Sequence, residues 1–543
     1  MTDRNEEPVP LHQLLSQFLA SEPSSIQPKG LVYGLGTMQS LNQRLANQTL
    51  PNFINAVFRG IGQVIFVNNP ISGLLFLIAM LIQLPWLGVM SMIGTVSATI
   101  TAMITTANPG EIQNGIFGMN GMLVGATMAF WGVLANVTWN PIWAITTIIL
   151  AAFTSVVMQT VGFWFAVRFR VAPLGIPFNG VMLAFLLLGE LIPKSIFDVA
   201  SPTVFSPSTL DQLRLLQSLP LGFGQVFFSD KLISVVFVIL GVAICTPIGA
   251  FVGLLGCGAF MLAGTLLSTS PEQLYQGLWS YNGVLTATAV GGVFYTPTLL
   301  SVSLGLFCAF IASVFSLIVA PVFSLFHLPI LSLPFAMVTV GCCLIFQRSL
   351  PSLVPVVLHT VASPEEHRHR YFAAKDVIRS FRKQLRATLS GQKRNILFEE
   401  ASHSTKFQLH GIFDAIDRNL SGSLSIHEMK WHLQRSGTPF SEGQLAYLFH
   451  CMDFDQSSAI DFEEFGELIL RHRRLMARYR DFVTYFLPID ANEDNHISTK
   501  EMNAVLTSLK ETPLTQAEVQ FLEQQTGRQP LTWNRFIELL LLI

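Results

Sequence analysis

Apolar and polar positions change rhythm along the chain. From Pro51 to Gln347, apolar runs follow one another, broken by Gly, Pro and Asn rather than by charge. Examples are ISGLLFLIAMLIQLPWLGVMSMIG (Ile71–Gly94) and KLISVVFVILGVAICTPIGAFVGLLG (Lys231–Gly256). Nearly uncharged runs of about 20 residues predict membrane-spanning helices, because that length crosses the hydrocarbon core. From His403 onward the apolar residues fall instead on charged, amphipathic helices separated by short acidic loops. Between the two lies Glu365–Glu400, where Ile378, Phe381, Leu385 and Leu389 form an apolar stripe on a basic helix.

Charge sharpens the division. Residues 51–347 contain 12 Asp, Glu, Lys or Arg, and residues 348–543 contain 47. A buried soluble core would need charged outer faces, which the first region lacks. We therefore read an N-terminal segment (1–50), a membrane domain (51–347), a basic amphipathic linker (348–402) and a soluble all-α domain (403–543). The start, MTDRNEEPVPLHQLL, is acidic and polar and does not read as a signal peptide. Five of the six cysteines (Cys245, Cys257, Cys308, Cys342 and Cys343) lie in apolar segments, and none has metal-ligand spacing, so they read as small buried hydrophobes. Lys and Arg cluster after the last apolar run, from Arg348 to Arg394, and on the N-terminal flank at Lys29, Arg44 and Arg59. By the positive-inside rule both termini, and with them the soluble domain, are expected in the cytoplasm. Glu190 beside an apolar run reads as an interfacial pair with Lys194. The net charge of −2 says little about partners, and nothing points to nucleic acid.

The membrane region repeats itself. NGIFGMNGMLV (Asn114–Val124) returns as QGLWSYNGVLT (Gln276–Thr286), and IGQVIFVNNPISG (Ile61–Gly73) as GFGQVFFSDKLIS (Gly222–Ser234), with Asn120 and Asn282, and Gln63 and Gln225, each 162 positions apart. APLGIPFNGVML (Ala172–Leu183) matches LPILSLPFAMVT (Leu328–Thr339), with Pro177 and Pro334 lying 157 positions apart. Three phrases in one order define two homologous halves, about 51–195 and 212–347. Repeat-built transporters place the substrate path at the repeat interface near the bilayer midplane, where hydrophobic segments are interrupted. A Gly-rich turn carrying Asn is tolerated at membrane depth only where it is buried in protein or lines a wet cavity. The phrases around Asn120 and Asn282 thus predict two short re-entrant helices meeting in the membrane.

These paired phrases resemble the urea transporter family across Pro51–Gln347. The resemblance implies an all-α polytopic membrane protein of two inverted repeats, about ten spanning helices plus two re-entrant pore helices, enclosing a narrow pore in each protomer of a homotrimer. It implies that Gln63, Phe66, Gln225 and Phe228 belong to paired pore-mouth motifs, Met119, Asn120, Leu123, Tyr281, Asn282 and Leu285 to the pore helices, and Gly175 and Ser332 to mid-pore segments. Urea is small, planar and polar, and entering lipid costs it several unmade hydrogen bonds. A pore for it needs a flat apolar slot and a line of acceptors. Phe66, Phe228, Tyr281, Leu123 and Leu285 would form the slot, and Gln63 and Gln225 would offer acceptors. The chain departs from the family in carrying Met119 where an aromatic precedes Asn, and Gly175 and Ser332 where mid-pore Thr hydroxyls stand. No P-loop, ion-coupling cluster or nucleophile–base pair is visible, so passive transport in a plasma or bacterial inner membrane is expected, not catalysis.

The soluble region carries the oxygen-ligand spacing of the calcium EF-hand three times. The expected ligands are Asp417, Asn419, Ser421, Ser423, Ser425 and Glu428 in the first loop and Asp453, Asp455, Ser457, Ala459, Asp461 and Glu464 in the second. In the third they are Asp490, Asn492, Asp494, His496, Ser498 and Glu501, giving up to three Ca²⁺ sites. Ser458 and Asn495 stand where Gly makes the sharp turn, and Ser tolerates positive φ less well than Asn, which predicts a weaker second site. A fourth unit, Gln525–Phe536, keeps Leu531 at the β-pairing position but carries Arg535 in place of the bidentate Glu, so it reads as a metal-free partner. The expected function is calcium-modulated urea transport, with the EF-hands contacting the 365–400 helix. Transport of another small neutral solute (short amides, ammonia, water) and a membrane-anchored sensor without transport stay open as alternatives.

Overall fold

A computed structural model describes residues 9–19, 34–169, 171–190, 211–267, 274–277, 280–350, 352–356, 362–390, 396–436, 440–486, 494, 496–525 and 531–542. They form two compact units, one of Leu31–Arg368 and one drawn from both chain ends, Met1–Gly30 with His369–Ile543. Lys194, which with Glu190 was read as an ion pair, lies outside the described residues, as does the Glu190 side chain.

Helix α1 (Leu11–Leu19) belongs to the second unit. The first unit runs α2 (Gln39–Leu45), α3 (Thr49–Gln63), α4 (Pro70–Gln83), α5 (Pro85–Ile104), α6 (Pro109–Gln113), α7 (Ile116–Leu134), α8 (Pro141–Phe169) and α9 (Ile176–Glu190). It continues with α10 (Gln212–Ser218), α11 (Leu221–Gln225), α12 (Leu232–Cys245), α13 (Pro247–Leu266), α14 (Tyr281–Thr288) with a π-helical continuation (Ala289–Val293), α15 (Leu299–Ser324) and α16 (Leu333–Ser349). Both ends of α12 lie 162 positions after those of α4, and both ends of α13 lie 162 after those of α5. Helix starts are written locally. Pro occupies the first turn of α4, α5 and α13, where its missing N–H costs nothing. Asn69 caps α4 by accepting from the Ile71 and Ser72 amides, and Thr246 caps α13 through Gly249.

Among the described residues, α5, α7, α8, α13 and α15 are long and apolar enough to cross a membrane, and α4, α9, α12 and α16 are shorter apolar helices. The phrase expected to form a short re-entrant helix opens the 19-residue α7. Its run GMLVGATMA holds neither Pro nor charge, so nothing stops the helix while it packs on α5. The second copy is shorter, eight α-helical residues followed by five π-helical ones. The same contact sets both crossings. A Cβ on Gly94 would lie 2.1 Å from the Gly121 carbonyl oxygen, and one on Gly256 would lie 2.5 Å from that of Gly283, so α5–α7 and α13–α14 meet backbone to backbone. The packed interior of this unit joins Phe76, Met90 and Met122 of one half to Phe223, Phe227 and Val284 of the other. All six cysteines are free, five of them buried.

The second unit holds α17 (Pro364–Leu389), within which the division between units falls, then α18 (Ile396–Glu400), α19 (His403–Ile416), β1 (Ser423–Leu424), α20 (Ile426–Ser436), α21 (Glu442–Met452), β2 (Ile460–Asp461) and α22 (Phe462–Ala477). It ends with α23 (Tyr479–Phe486), α24 (Thr499–Ser508), α25 (Gln516–Gln525) and α26 (Trp533–Leu542). β1 and β2 pair antiparallel, with Leu424 opposite Ile460.

Gly94→Ala and Gly256→Ala are each expected to lower the thermal stability of the purified protein by overpacking, about 1–3 kcal/mol. Gly341→Ala, where an added Cβ meets nothing within 4 Å, should leave it unchanged or higher. Equal melting temperatures for all three variants would contradict the backbone contact.

Candidate functional site

The repeated Gln-Val-x-Phe phrase ends a helix in the same way twice. After α3, the Val67 amide donates to the Gly62 carbonyl (3.0 Å) and the Phe66 amide to that of Gln63 (3.1 Å). After α11, Ser229 donates to Gly224 (2.9 Å) and Phe228 to Gln225 (3.1 Å). This is a Schellman closure, whose left-handed residue is ordinarily Gly. Here it is Phe66 at φ 62° and Phe228 at φ 54°. Left-handed backbone costs a bulky residue about 1–2 kcal/mol. Holding an aromatic ring there in both copies is strain of the kind found at functional sites.

Each turn is clasped to the start of its partner helix. Gln63 Nε2 donates to the Asn114 carbonyl at 3.0 Å, and Gln225 Nε2 to the Gln276 carbonyl at 2.9 Å. The acceptors are themselves 162 positions apart, and each precedes a left-handed glycine, Gly115 and Gly277. The glutamines read from the sequence as acceptors are thus donors first. Gln63 is buried and does not line the cavity described next, whereas Gln225 does.

A cavity of about 480 Å³ is lined by Phe66, Met119, Leu123, Gly175, Gln225, Phe228, Tyr281, Leu285 and Ser332 among others. Nine of the twelve sequence-predicted pore residues therefore meet in one space. Gln63, Asn120 and Asn282 do not line it. Asn120 is fully buried with neither amide atom hydrogen-bonded among the described residues, and Asn282 reaches only the Leu331 carbonyl, at 3.5 Å. The Phe66 ring packs edge-on against Phe294 and Phe335, with centroids at 6.3 and 6.0 Å. Gln83 and Asp230 join across one end through Gln83 Nε2 and Asp230 Oδ1 (2.7 Å).

Two departures from pseudo-symmetry follow from single residues. Tyr281 donates its hydroxyl hydrogen to the Leu331 carbonyl (2.5 Å); Met119, its counterpart, has no hydroxyl to do the same for Leu174. At mid-cavity, Gly175 faces Ser332, and Asn179 uses the room. Its Nδ2 donates to the Gly175 carbonyl (2.7 Å) and to Ser332 Oγ (3.0 Å). The Gly175 carbonyl can only accept, so the nitrogen must face it. Ser332 Oγ then accepts from Asn179 and keeps its own proton to donate elsewhere. A Cβ at position 175 would come within 3.2 Å of Ser332 Oγ and 3.4 Å of Asn179 Nδ2. The sequence reading passed over Asn179, whose signal was its position four residues after Gly175, opposite Ala336 in the second copy.

Arg59 was also missed. Counted from the sequence as a flanking charge, it is fully buried and donates to Asn55 Oδ1, Asn68 Oδ1 and the carbonyls of Thr37, Met38 and Asn68 at 2.5–3.0 Å. A charge in so apolar a setting needs such a cage. The cage reaches Asn114 on two sides, since Asn114 Oδ1 accepts from Asn42 Nδ2 (3.1 Å) and Asn68 Nδ2 (3.0 Å).

In the second unit the first two loops are built for a cation. Asp453, Asp455 and Glu464 offer oxygens within 4.8 Å of one another. Backbone amides converge on the first acid of each loop: Ser421 and Gly422 donate to Asp417, and Ser457 and Ser458 to Asp453. Ser421 Oγ and Ser457 Oγ donate to the Ser423 and Ala459 carbonyls. Asn419 and Ser425 complete the first set and Asp461 the second, so hard oxygen donors fill the EF-hand positions and fit calcium. Burial pushes the Glu464 carboxyl above the usual range, against hydrogen bonds from the Asp461 and Asp455 amides and with the Asp461 and Asp455 charges. At Glu428 burial acts the same way, but hydrogen bonds from Ser425, Asn419 and Arg418 outweigh it and hold the carboxyl low. Of the third loop, Asp490 and Asn492 lie outside the described residues. Asp494 accepts from the His496 amide, and Ser498 donates to Glu501. Ile497 donates to the Leu531 carbonyl (2.6 Å), pairing the third loop with the degenerate fourth unit, where Arg535 donates to the Gln525 carbonyl.

Helix α17 is seated in this unit. Ile378, Phe381 and Leu385 are buried, while Leu389 is 40 % exposed. Arg382 pairs with buried Glu518 at 3.0 Å, and Tyr371 donates to the Leu509 carbonyl.

These features define a membrane protein with a polar-clasped internal cavity and an EF-hand unit. The family described as "Urea transporter" matches residues 54–347, and an "EF-hand domain pair" matches residues 406–470. The chain belongs to the urea transporter family and is a multi-pass membrane protein. It is similar to "Urea transporter 1" of Ovis aries, 29% identical over 352 residues (63% of this chain, 90% of that protein), and to the Mus musculus protein of that name, 29% over 355 residues (64% and 91%). A shorter stretch resembles "Calcium-dependent protein kinase 22" of Arabidopsis thaliana, 28% identical over 133 residues (24% and 26%).

At loop position six Ser458 takes φ 68°, where the first loop has Gly422 at 77°. Ser458→Gly should remove about 1 kcal/mol of left-handed strain and tighten calcium at that loop about fivefold, read by calcium titration. An unchanged affinity would place the weakness of the loop elsewhere.

Proposed function

We propose that the chain is a passive urea channel whose permeability is set by calcium at its EF-hand unit. The observation that carries the reading is the meeting of paired aromatics, Gln225, Ser332 and the mid-cavity carbonyls in a single largely apolar space. Urea needs flat apolar walls and both kinds of hydrogen-bonding partner. Phe66, Phe228, Tyr281 and Leu285 supply the walls. Gln225 Oε1 accepts from a urea N–H while its Nε2 stays on Gln276. The Leu174 carbonyl, which Met119 cannot tether, accepts a second. Ser332, held as an acceptor by Asn179, donates its proton to the urea carbonyl oxygen.

Proposed with this reading are inverted orientation of the two halves, a homotrimer, cytoplasmic termini and EF-hands, and up to three calcium sites. Calcium would be held by Asp417, Asn419, Ser421, the Ser423 carbonyl, Ser425 and Glu428, and by the matching residues of the second and third loops. It supplies positive charge that offsets the mutual repulsion of these carboxylates. The grip of the unit on α17 offers one route by which that change is passed on.

The test is stopped-flow efflux of urea, methylurea and ammonia from proteoliposomes carrying the full chain. Urea flux well above that of empty vesicles supports the reading; flux of ammonia or water alone would replace it with the small-solute alternative, and no flux with the sensor alternative. Asn179→Ala frees Ser332 and removes the side-chain donor from the Gly175 carbonyl, which keeps only the backbone amide of residue 179. It is expected to lower urea flux about fivefold, about 1 kcal/mol, with the protein still folded by its melting curve.

A further inference from the structure

Calcium-sensing helix pairs work by presenting an apolar groove to an amphipathic helix. In this chain the first helix fills that role. α1 buries Leu11, Leu14, Leu15 and Phe18, each at most 2 % exposed, and leaves Gln13 and Gln17 in solvent. The anchors fall at i, i+3, i+4 and i+7, the spacing by which a helix is read in a groove. α1 packs on α21 and α22, the helices that flank the second calcium loop, and on α26. The Phe18 ring lies 6.0 Å from His432 on α20, the helix leaving the first loop. One polar edge fixes the register: Ser16 Oγ is 3.0 Å from His472 Nε2, which is 3.1 Å from the His12 carbonyl, and Tyr479 OH is 3.2 Å from His12 Nε2. α17 has partners around Leu509, Thr512 and Glu518 and also bonds α22 along its length, through Gln384 to Glu467 and Asp376 to Arg474.

We propose that α1 is the calcium-dependent ligand of the first EF-hand pair, gripped when its loops are loaded and released when they are empty. The inference rests on the reading of these loops as calcium sites that modulate transport. Its consequence travels along the chain. Residues 34–48 follow α1 and donate or accept the bonds that surround the first glutamine clasp. Thr37 and Met38 accept from Arg59, and Asn42 bonds Asn114, whose carbonyl holds Gln63. Seating α1 ties this segment, through residues 20–33 of the chain, to the EF-hand unit, and releasing it removes that tie.

Hydrogen exchange on the full chain in nanodiscs, in saturating calcium and in chelator, tests this. Backbone amides of residues 11–19 should exchange at least tenfold more slowly in calcium, while residues 417–428 and 453–464 also gain protection. Protection of the loops with none at α1 would overturn the inference and leave the calcium reading standing; no protection anywhere would overturn both. Leu15→Asp should erase protection of α1 but not of the loops, and should leave calcium-free urea flux unchanged while removing its calcium response. Deletion of residues 1–19 should leave loop protection and calcium-free urea flux unchanged and remove the calcium response, and a calcium response that survived it would overturn the route through the N-terminal segment.

Discussion

Inside a bilayer every backbone polar group must find a partner within the protein. At two helix breaks in its apolar half this chain meets that demand in the same way. The turn after α3 and the turn after α11 close their own carbonyls through left-handed phenylalanines. They then donate a glutamine amide to the carbonyl that opens the next pore segment. With both breaks closed, the glycine crossings of α5–α7 and α13–α14 bring backbones into contact, and the cavity forms between the halves. The aromatic rings sit at the strained positions, so the element that heals the backbone also builds the wall.

Departures from the repeat carry chemical meaning. One half ties its mid-cavity carbonyl with Tyr281, and the other, carrying Met119, cannot. One half carries Ser332, and the other carries Gly175 with Asn179 behind it. A perfectly symmetric path would present the same group from both sides. In the reading proposed above, this one presents a donating serine hydroxyl from one half and a carbonyl from the other, a match to a solute that is acceptor and donor at once. The cage around Arg59 has no charged counterpart in the second half, where Leu221 stands 162 positions on. It binds residues 34–48 to the first half, while the Gly36 amide donates to the Ile244 carbonyl of the second.

Much of this was legible in the sequence. The repeat offset, the EF-hand positions and the β-pairing position of Leu531 follow from spacing, because one residue type at one position suffices to show them. Twelve pore residues were named from the paired phrases and the family resemblance they carry, and nine of them line the cavity. What stayed hidden depends on partners distant in sequence. Gln63 reads as a polar group for the path until its amide is seen on Asn114. Asn179 looks like one more helix residue until the missing side chain of Gly175 gives it room. Arg59 looks like a flank charge until carbonyls from residues 37, 38 and 68 converge on it. The nine-residue α1 was read only as polar N-terminal sequence, since so short an amphipathic helix gains its stability from the groove that holds it.

The most direct test of calcium control over a urea path is stopped-flow urea efflux from proteoliposomes, with free calcium stepped on the EF-hand side and calcium occupancy followed in the same sample. Urea flux that changes in step with occupancy of the loops is the expected result. Full calcium occupancy with an unchanged urea rate would contradict it, leaving a urea path and a calcium sensor that share a chain without sharing a function.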